Sequence, residues 1–138
     1  ALEWEPGRNF DAILLDAPCS ATGTFRRHPE VLYRARPSII RDSTELQRRL
    51  FERVARWLKP GGTLVYSVCS LEPGEGEEII GNFLEANPDF AIAPPQPGEL
   101  PDFVTSDERD WVRILPGLLE SEGGLDGFFV ARLVRTAT

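Results

Sequence analysis

The chain has 138 residues, 41% of them hydrophobic and 27% charged, with a formal net charge of −7. These values suit one soluble globular domain and exclude two ordinary domains, a disordered tail or a fibrous repeat. No apolar run approaches the roughly 20 residues of a membrane span, and two cysteines with a single histidine make neither a disulfide framework nor a metal cluster.

The opening residues lack the basic-then-apolar pattern of a signal peptide, and the chain contains no methionine, so it reads as a piece of a longer protein. Two free thiols fit a reducing, cytoplasmic setting. The charge is unevenly spread. Thr24 to Pro60 holds ten basic residues against four acidic ones, whereas Gly61 to Thr138 holds four basic and fourteen acidic. Such asymmetry presents either a basic face to a polyanion or simply the solvated side of a helix.

In chain order, Phe10 to Asp16 is a short apolar run ending in an acid, the pattern of a parallel strand buried on both faces. Residues 17–37 carry Pro18, Gly23, Pro29 and Pro37 and read as a long irregular loop with at most one helical turn. A helix is expected from about Asp42 to Leu58, opened by an Asp42/Glu45 capping box. Its apolar stripe is Leu46, Leu50, Phe51, Val54, Trp57 and Leu58. Lys59-Pro60-Gly61-Gly62 is read as the stop, and Gly62 to Val68 as the second strand. A second helix spans roughly 75–86 and ends at Asn87-Pro88. Short strands follow near Phe90–Ile92 and Trp111–Leu115, separated by a loop over 93–110, and a final strand runs from Gly127 to Val134. Phe128 and Phe129 are expected in the core.

Strand, helix, strand, helix, strand is the order of a parallel α/β sheet. Ligands in such sheets bind beyond the carboxyl ends of the strands. Asp16 and Cys19 follow the first strand and Cys69 the second, so neighbouring strands would bring all three to one rim.

Asp16-Ala17-Pro18-Cys19-Ser20-Ala21-Thr22-Gly23 resembles the DAPCSGxG signature of the Sun/Fmu family of RNA cytosine-5 methyltransferases, departing at Ala21, where glycine is usual. Arg27-His28-Pro29-Glu30 is similar to the RHP(E/D) element that follows it. Leu58 to Ser70 resembles the LKPGGxLVYxTCS block, with Val68 in place of threonine. Arg113 to Pro116 and Asp126 to Ala131 are similar to the closing RxxP and DGFFxA elements. A single short motif is weak; five in order, from about residue 10 to 135, are specific.

The resemblance implies the C-terminal half of a Rossmann-like methyltransferase fold, a mostly parallel sheet with an antiparallel final strand. Residues 1–138 would be a partial catalytic domain. The implied reaction moves a methyl group from S-adenosylmethionine to carbon 5 of cytosine in RNA, with rRNA the expected partner. Carbon 5 is a poor nucleophile until a thiolate adds at carbon 6, which splits one hard step into two. By resemblance Cys69 is that nucleophile, and Cys19 assists proton removal and product release. Asp16 lies beside the methyl group and the base, with Pro18 on the cofactor side. Ser20, Arg26, Arg27 and His28 meet the RNA, His28 mainly by ordering its loop. No metal is implied.

The glycine-rich loop and ribose-binding acid that hold the cofactor in this family are absent, so the chain alone is expected to bind S-adenosylmethionine poorly and to be inactive. Other readings stay open. The cysteines can be small buried hydrophobes or a redox pair. The chain can be a non-catalytic RNA- or protein-interaction half-domain of the same ancestry. Methylation of an exocyclic amino group needs no thiol, and DNA cytosine enzymes use a single cysteine after the first of these strands; both fit less well.

Overall fold

The computed structural model describes residues 2–137. Five strands form one sheet: β1 (Phe10–Asp16), β2 (Leu58–Val68), β3 (Phe90–Ile92), β4 (Val112–Ile114) and β5 (Phe128–Arg135). The order is β1-β2-β5-β3, with β4 beside β3 on the same edge of β5. β1 and β2 are parallel, and β5 is antiparallel to each of its three neighbours. Four strands therefore run one way and only the last runs back, as the resemblance implies. Among the described residues no helix is long and apolar enough to cross a membrane.

Helices α2 (Pro37–Arg56) and α3 (Glu77–Ala86) cover one face of the sheet, and a single turn, α1 (Val31–Arg34), precedes them. α2 buries Leu50, Phe51, Val54 and Ala55, and α3 buries Ile79, Ile80 and Phe83. Phe51 joins the layers through edge-on contacts with Tyr66 of β2 (5.4 Å) and Phe83 of α3 (4.6 Å). Alternation along β2 and β5 turns Leu64, Tyr66, Val68, Phe129, Ala131 and Leu133 into this core.

Several sequence expectations are corrected. α2 begins at Pro37, with Arg36 extended before it, not at an Asp42 capping box. Proline's fixed φ suits the first helical position, where no amide hydrogen bond is lost, and Glu45 pairs with Arg48 instead of capping. The helix stops at Arg56. Lys59 to Gly62 belong to β2, where the register with β1 jumps between Phe10 and Ala12 and Gly61 takes a φ of +79°. The second helix starts two residues late, because Pro73–Glu75 form a separate 3-10 turn. Among the described residues β1 ends the sheet, and Leu14 on it is 69% exposed. Of the two phenylalanines only Phe129 is fully buried; Phe128, one step along β5, lies on the less covered face and is half-buried. The 17–37 loop holds two short elements, a 3-10 turn at Thr22–Thr24 and α1.

Candidate active site

Parallel pairing of β1 with β2 sets Asp16 opposite Ser67, and the two chains leave the sheet side by side. The Ser67 hydroxyl donates to Asp16 Oδ1 at 2.9 Å, and the Ala17 amide donates to the Ser67 carbonyl at 2.9 Å. Three residues on from Asp16, and two on from Ser67, Cys19 and Cys69 meet with their sulfurs 3.5 Å apart. Both are half-buried and unoxidised. Asp16 and Pro18 are exposed on this rim.

At this separation one thiol can donate a hydrogen bond to the other. The hydrogen bond from Cys19 is the main reason the Cys69 thiol falls from 9.0 to about 7; burial opposes it and the Cys69 backbone amide assists. Cys19 moves the opposite way, raised first by donating to Cys69, then by burial and by the Cys69 and Glu75 charges. Cys69 is therefore the residue that ionises near neutrality, and a thiolate is the nucleophilic form.

The loop carrying Cys19 is clamped to the turn carrying Cys69. The Gly23 amide donates to the Cys69 carbonyl at 3.0 Å, and the Gly127 amide to the Gly23 carbonyl at 2.7 Å. Thr22 Oγ1 accepts from the Leu71 amide at 2.9 Å and lies 3.3 Å from the Ser70 hydroxyl. Gly23 marks the loop in the sequence by its composition. Its φ is not positive, and its role is spatial: a β-carbon there would sit 2.1 Å from the Gly127 carbonyl oxygen.

Ala21 shows why glycine is usual at its position in the resembling signature. It adopts φ 58° and ψ 25°, a left-handed conformation that costs a residue with a β-carbon about 1–2 kcal/mol. Ala21→Gly relieves this, offset in part by the freer unfolded chain. It is expected to raise stability by roughly 0.5–1 kcal/mol in urea unfolding, without moving the cysteines.

Arg26 and Arg27, read as RNA contacts, both turn to Asp126. Arg27 binds it through Nε at 3.0 and 3.1 Å and through Nη2, and its guanidinium holds the Asp126 carboxyl below the usual range. Arg26 reaches the Gly123 carbonyl at 3.0 Å and Asp126 at 3.4 Å. Both arginines remain partly exposed. His28 lies 3.4 Å from Glu30 at the surface. Ser20 faces inward, its amide and hydroxyl both donating to Glu75 at 2.8 and 2.5 Å.

Glu75 and Gln47 escaped the sequence reading, and Ser70 and Arg113 entered it only as motif members without a role. Glu75 is fully buried beneath the cysteines and also accepts from Gln47 Nε2 at 3.1 Å and from the Ser70 hydroxyl. Gln47 donates as well to the Pro18 carbonyl at 2.8 Å. Its position, three and seven residues before Leu50 and Val54, puts it on the buried stripe of α2, a signal that the spacing does carry. Arg113 forms a forked pair with Glu77 at 3.0 and 2.6 Å and donates to the Ser70 carbonyl. Among the described residues, no group of three or more His, Cys, Asp or Glu side chains is arranged to hold a metal ion.

Comparison with known proteins bears on this geometry. A family model described as "16S rRNA methyltransferase RsmB/F" matches residues 2–134. The chain is 40% identical over 132 residues to ribosomal RNA small subunit methyltransferase B of Shewanella oneidensis, covering 96% of this chain and 28% of that protein. With the protein of the same name from Vibrio cholerae it shares 42% identity over 134 residues, covering 95% of this chain and 27% of the relative. The chain thus spans little more than a quarter of these curated relatives. A crystal structure of a methyltransferase homologue from Pyrococcus horikoshii superposes with a TM-score of 0.70 at 36% identity, over 94% of this chain and 40% of that one. The match runs through both cysteine-bearing rims and the closing strand, and the chain belongs to the 16S rRNA methyltransferase RsmB/F family.

Proposed function

We propose that this chain is the base-contacting part of a methyltransferase catalytic domain that methylates carbon 5 of cytosine in small-subunit rRNA, working in the cytoplasm. The observation that carries this reading is the pair of thiols 3.5 Å apart at the ends of parallel neighbouring strands, one of them ionising near pH 7.

In this reading the Cys69 thiolate adds to carbon 6, and the electrons of the 5,6 double bond move to carbon 5, which becomes nucleophilic. S-adenosylmethionine, when bound, supplies the electrophilic methyl group. The exposed Asp16 carboxylate, fixed by Ser67, fits the junction between that cofactor and the base, with Pro18 beside it. The remainder of the cofactor site belongs to the part of the catalytic domain outside residues 1–138. Bonding of Cys69 to carbon 6 takes away the thiolate that accepts the Cys19 hydrogen bond, the main cause of the raised Cys19 thiol. Cys19 then releases its own proton to solvent, and its thiolate takes the proton from carbon 5, so that the 5,6 double bond re-forms and Cys69 leaves as a thiolate. Arg26, Arg27 and His28 meet the RNA backbone with their exposed edges. Ser20 contributes its carbonyl, since its amide and hydroxyl are committed to Glu75.

The test uses the protein carrying this chain together with its cofactor-binding half, incubated with RNA and S-adenosylmethionine and run on a denaturing gel. Cys19→Ser is expected to accumulate a covalent protein–RNA adduct, and Cys69→Ser to form none and lose methylation. If no variant traps RNA although the protein binds the cofactor, the two-cysteine reaction is wrong and an interaction role takes its place.

A further inference from the structure

Glu75 is a carboxylate with 0% exposure, and its partners among the described residues are all neutral: the Ser20 amide and hydroxyl, Gln47 Nε2 and the Ser70 hydroxyl. A buried carboxylate normally sits against a cation, because desolvating the charge is costly. Four neutral donors satisfy its oxygens, and no cation among the described residues pairs with it.

Those donors come from three separate segments. Ser20 follows Cys19 directly, Ser70 follows Cys69 directly, and Gln47 projects from α2 and also holds the Pro18 carbonyl. One carboxylate therefore grips the neighbour of each cysteine. Its own backbone is pinned as well, since the buried Tyr66 hydroxyl donates to the Glu75 carbonyl at 2.6 Å.

The charges around the pair are lopsided. Cys69 faces the carboxylates of Asp16 and Asp126, with the Arg27 guanidinium nearby. Asp16 is exposed to solvent, and Asp126 is neutralised by Arg27 and Arg26, so both act weakly. Cys19 lies beside Ser20, whose amide and hydroxyl both bind the buried Glu75 carboxylate, and the Glu75 charge is a lesser influence raising the Cys19 thiol. In a poorly screened interior such a charge repels a second negative one more strongly than exposed carboxylates do. The two thiols are chemically identical, so something in their surroundings must decide which keeps the proton.

We propose that Glu75 is the positioning residue that gives the two cysteines different roles, holding them in contact and directing the shared proton onto Cys19. This rests on the two-cysteine reading above but does not require RNA or cofactor to test. Each thiol is alkylated with iodoacetamide from about pH 5.5 to 9.5 and quantified by mass spectrometry. In the wild type, Cys69 labelling is expected to rise through pH 7 and level off above it, because the thiolate is the reactive form, while Cys19 lags throughout.

Glu75→Gln keeps the shape and removes the charge. The Cys19-to-Cys69 labelling ratio near pH 8 is expected to rise about tenfold, as for a relative shift of one pKa unit. An unchanged ratio in a folded Glu75→Gln protein, judged by near-ultraviolet circular dichroism, overturns the proposal. If Glu75→Gln does not fold, Ser70→Ala decides: loosening one grip should slow diamide-driven Cys19–Cys69 disulfide formation roughly threefold, since proximity sets that rate, and a wild-type rate overturns it. Failure of the adduct experiment with a shifted labelling ratio removes the reaction and leaves the positioning role. Adduct formation with an unshifted ratio does the reverse.

Discussion

Gly23→Ala is expected to unfold or severely destabilise the protein, by at least about 3 kcal/mol, the upper range for overpacking. The new β-carbon would lie 2.1 Å from the Gly127 carbonyl oxygen, 2.7 Å from its carbon and 2.9 Å from the Cys69 carbonyl oxygen. All three are backbone atoms in hydrogen-bonded segments, so no side chain can swing aside. Relief requires the Gly23 strip to leave, which breaks its amide bond to Cys69 and its carbonyl bond from Gly127 together. Urea unfolding checks the stability, and diamide cross-linking checks whether the thiols still meet. Gly81→Ala, a helical site with open space around it, is the control and should be neutral or slightly stabilising.

Phe129→Ala should cost about 3–5 kcal/mol, the range for emptying a buried phenylalanine site. The ring is 0% exposed, pairs with Val68 in register across β2 and β5, and meets Trp111 and Tyr66 edge-on at 5.6 and 6.3 Å. The Arg113 guanidinium lies 5.2 Å above it. This last contact links packing to the site, because Arg113 also grips the Ser70 carbonyl next to Cys69. Alanine should therefore lower the unfolding midpoint and also slow Cys19–Cys69 cross-linking in the protein that remains folded. Phe129→Leu should retain most of both. A wild-type cross-linking rate in Phe129→Ala would separate the core from the site.

What the sequence made legible was what local pattern and motif carry. The strand and helix order, the reversed last strand and the meeting of Cys19 with Cys69 all follow from apolar runs, their punctuation and the resemblance. Pro37 was misread because proline breaks a helix only in its interior and starts one readily at its first position. Gly61-Gly62 looked like a stop because a bulge inside a strand leaves the same composition as a turn. The exposure of Leu14 in β1 depends on which elements pack beside the strand, and no run of seven residues encodes it. Glu75 was invisible for a related reason. A glutamate in a Pro-Gly-Glu turn looks like surface, and only the convergence of Ser20, Gln47 and Ser70 makes it interior.

β5 is the hub of the sheet, pairing with three of the other four strands, and the segment just before it supplies Gly127 and Asp126 to the Cys19 loop. Arg27 and Asp126 are 99 positions apart. Chains are made from the amino end at about 5–20 residues per second, so the cysteine-bearing segments leave the ribosome several seconds before the strand that locks them together. During that interval the Cys19 loop lacks the Gly127 and Asp126 contacts that clamp it. Birth order thus separates the pairing of the two cysteine-bearing strands from the clamping of the loop over them, which waits for β5 to dock.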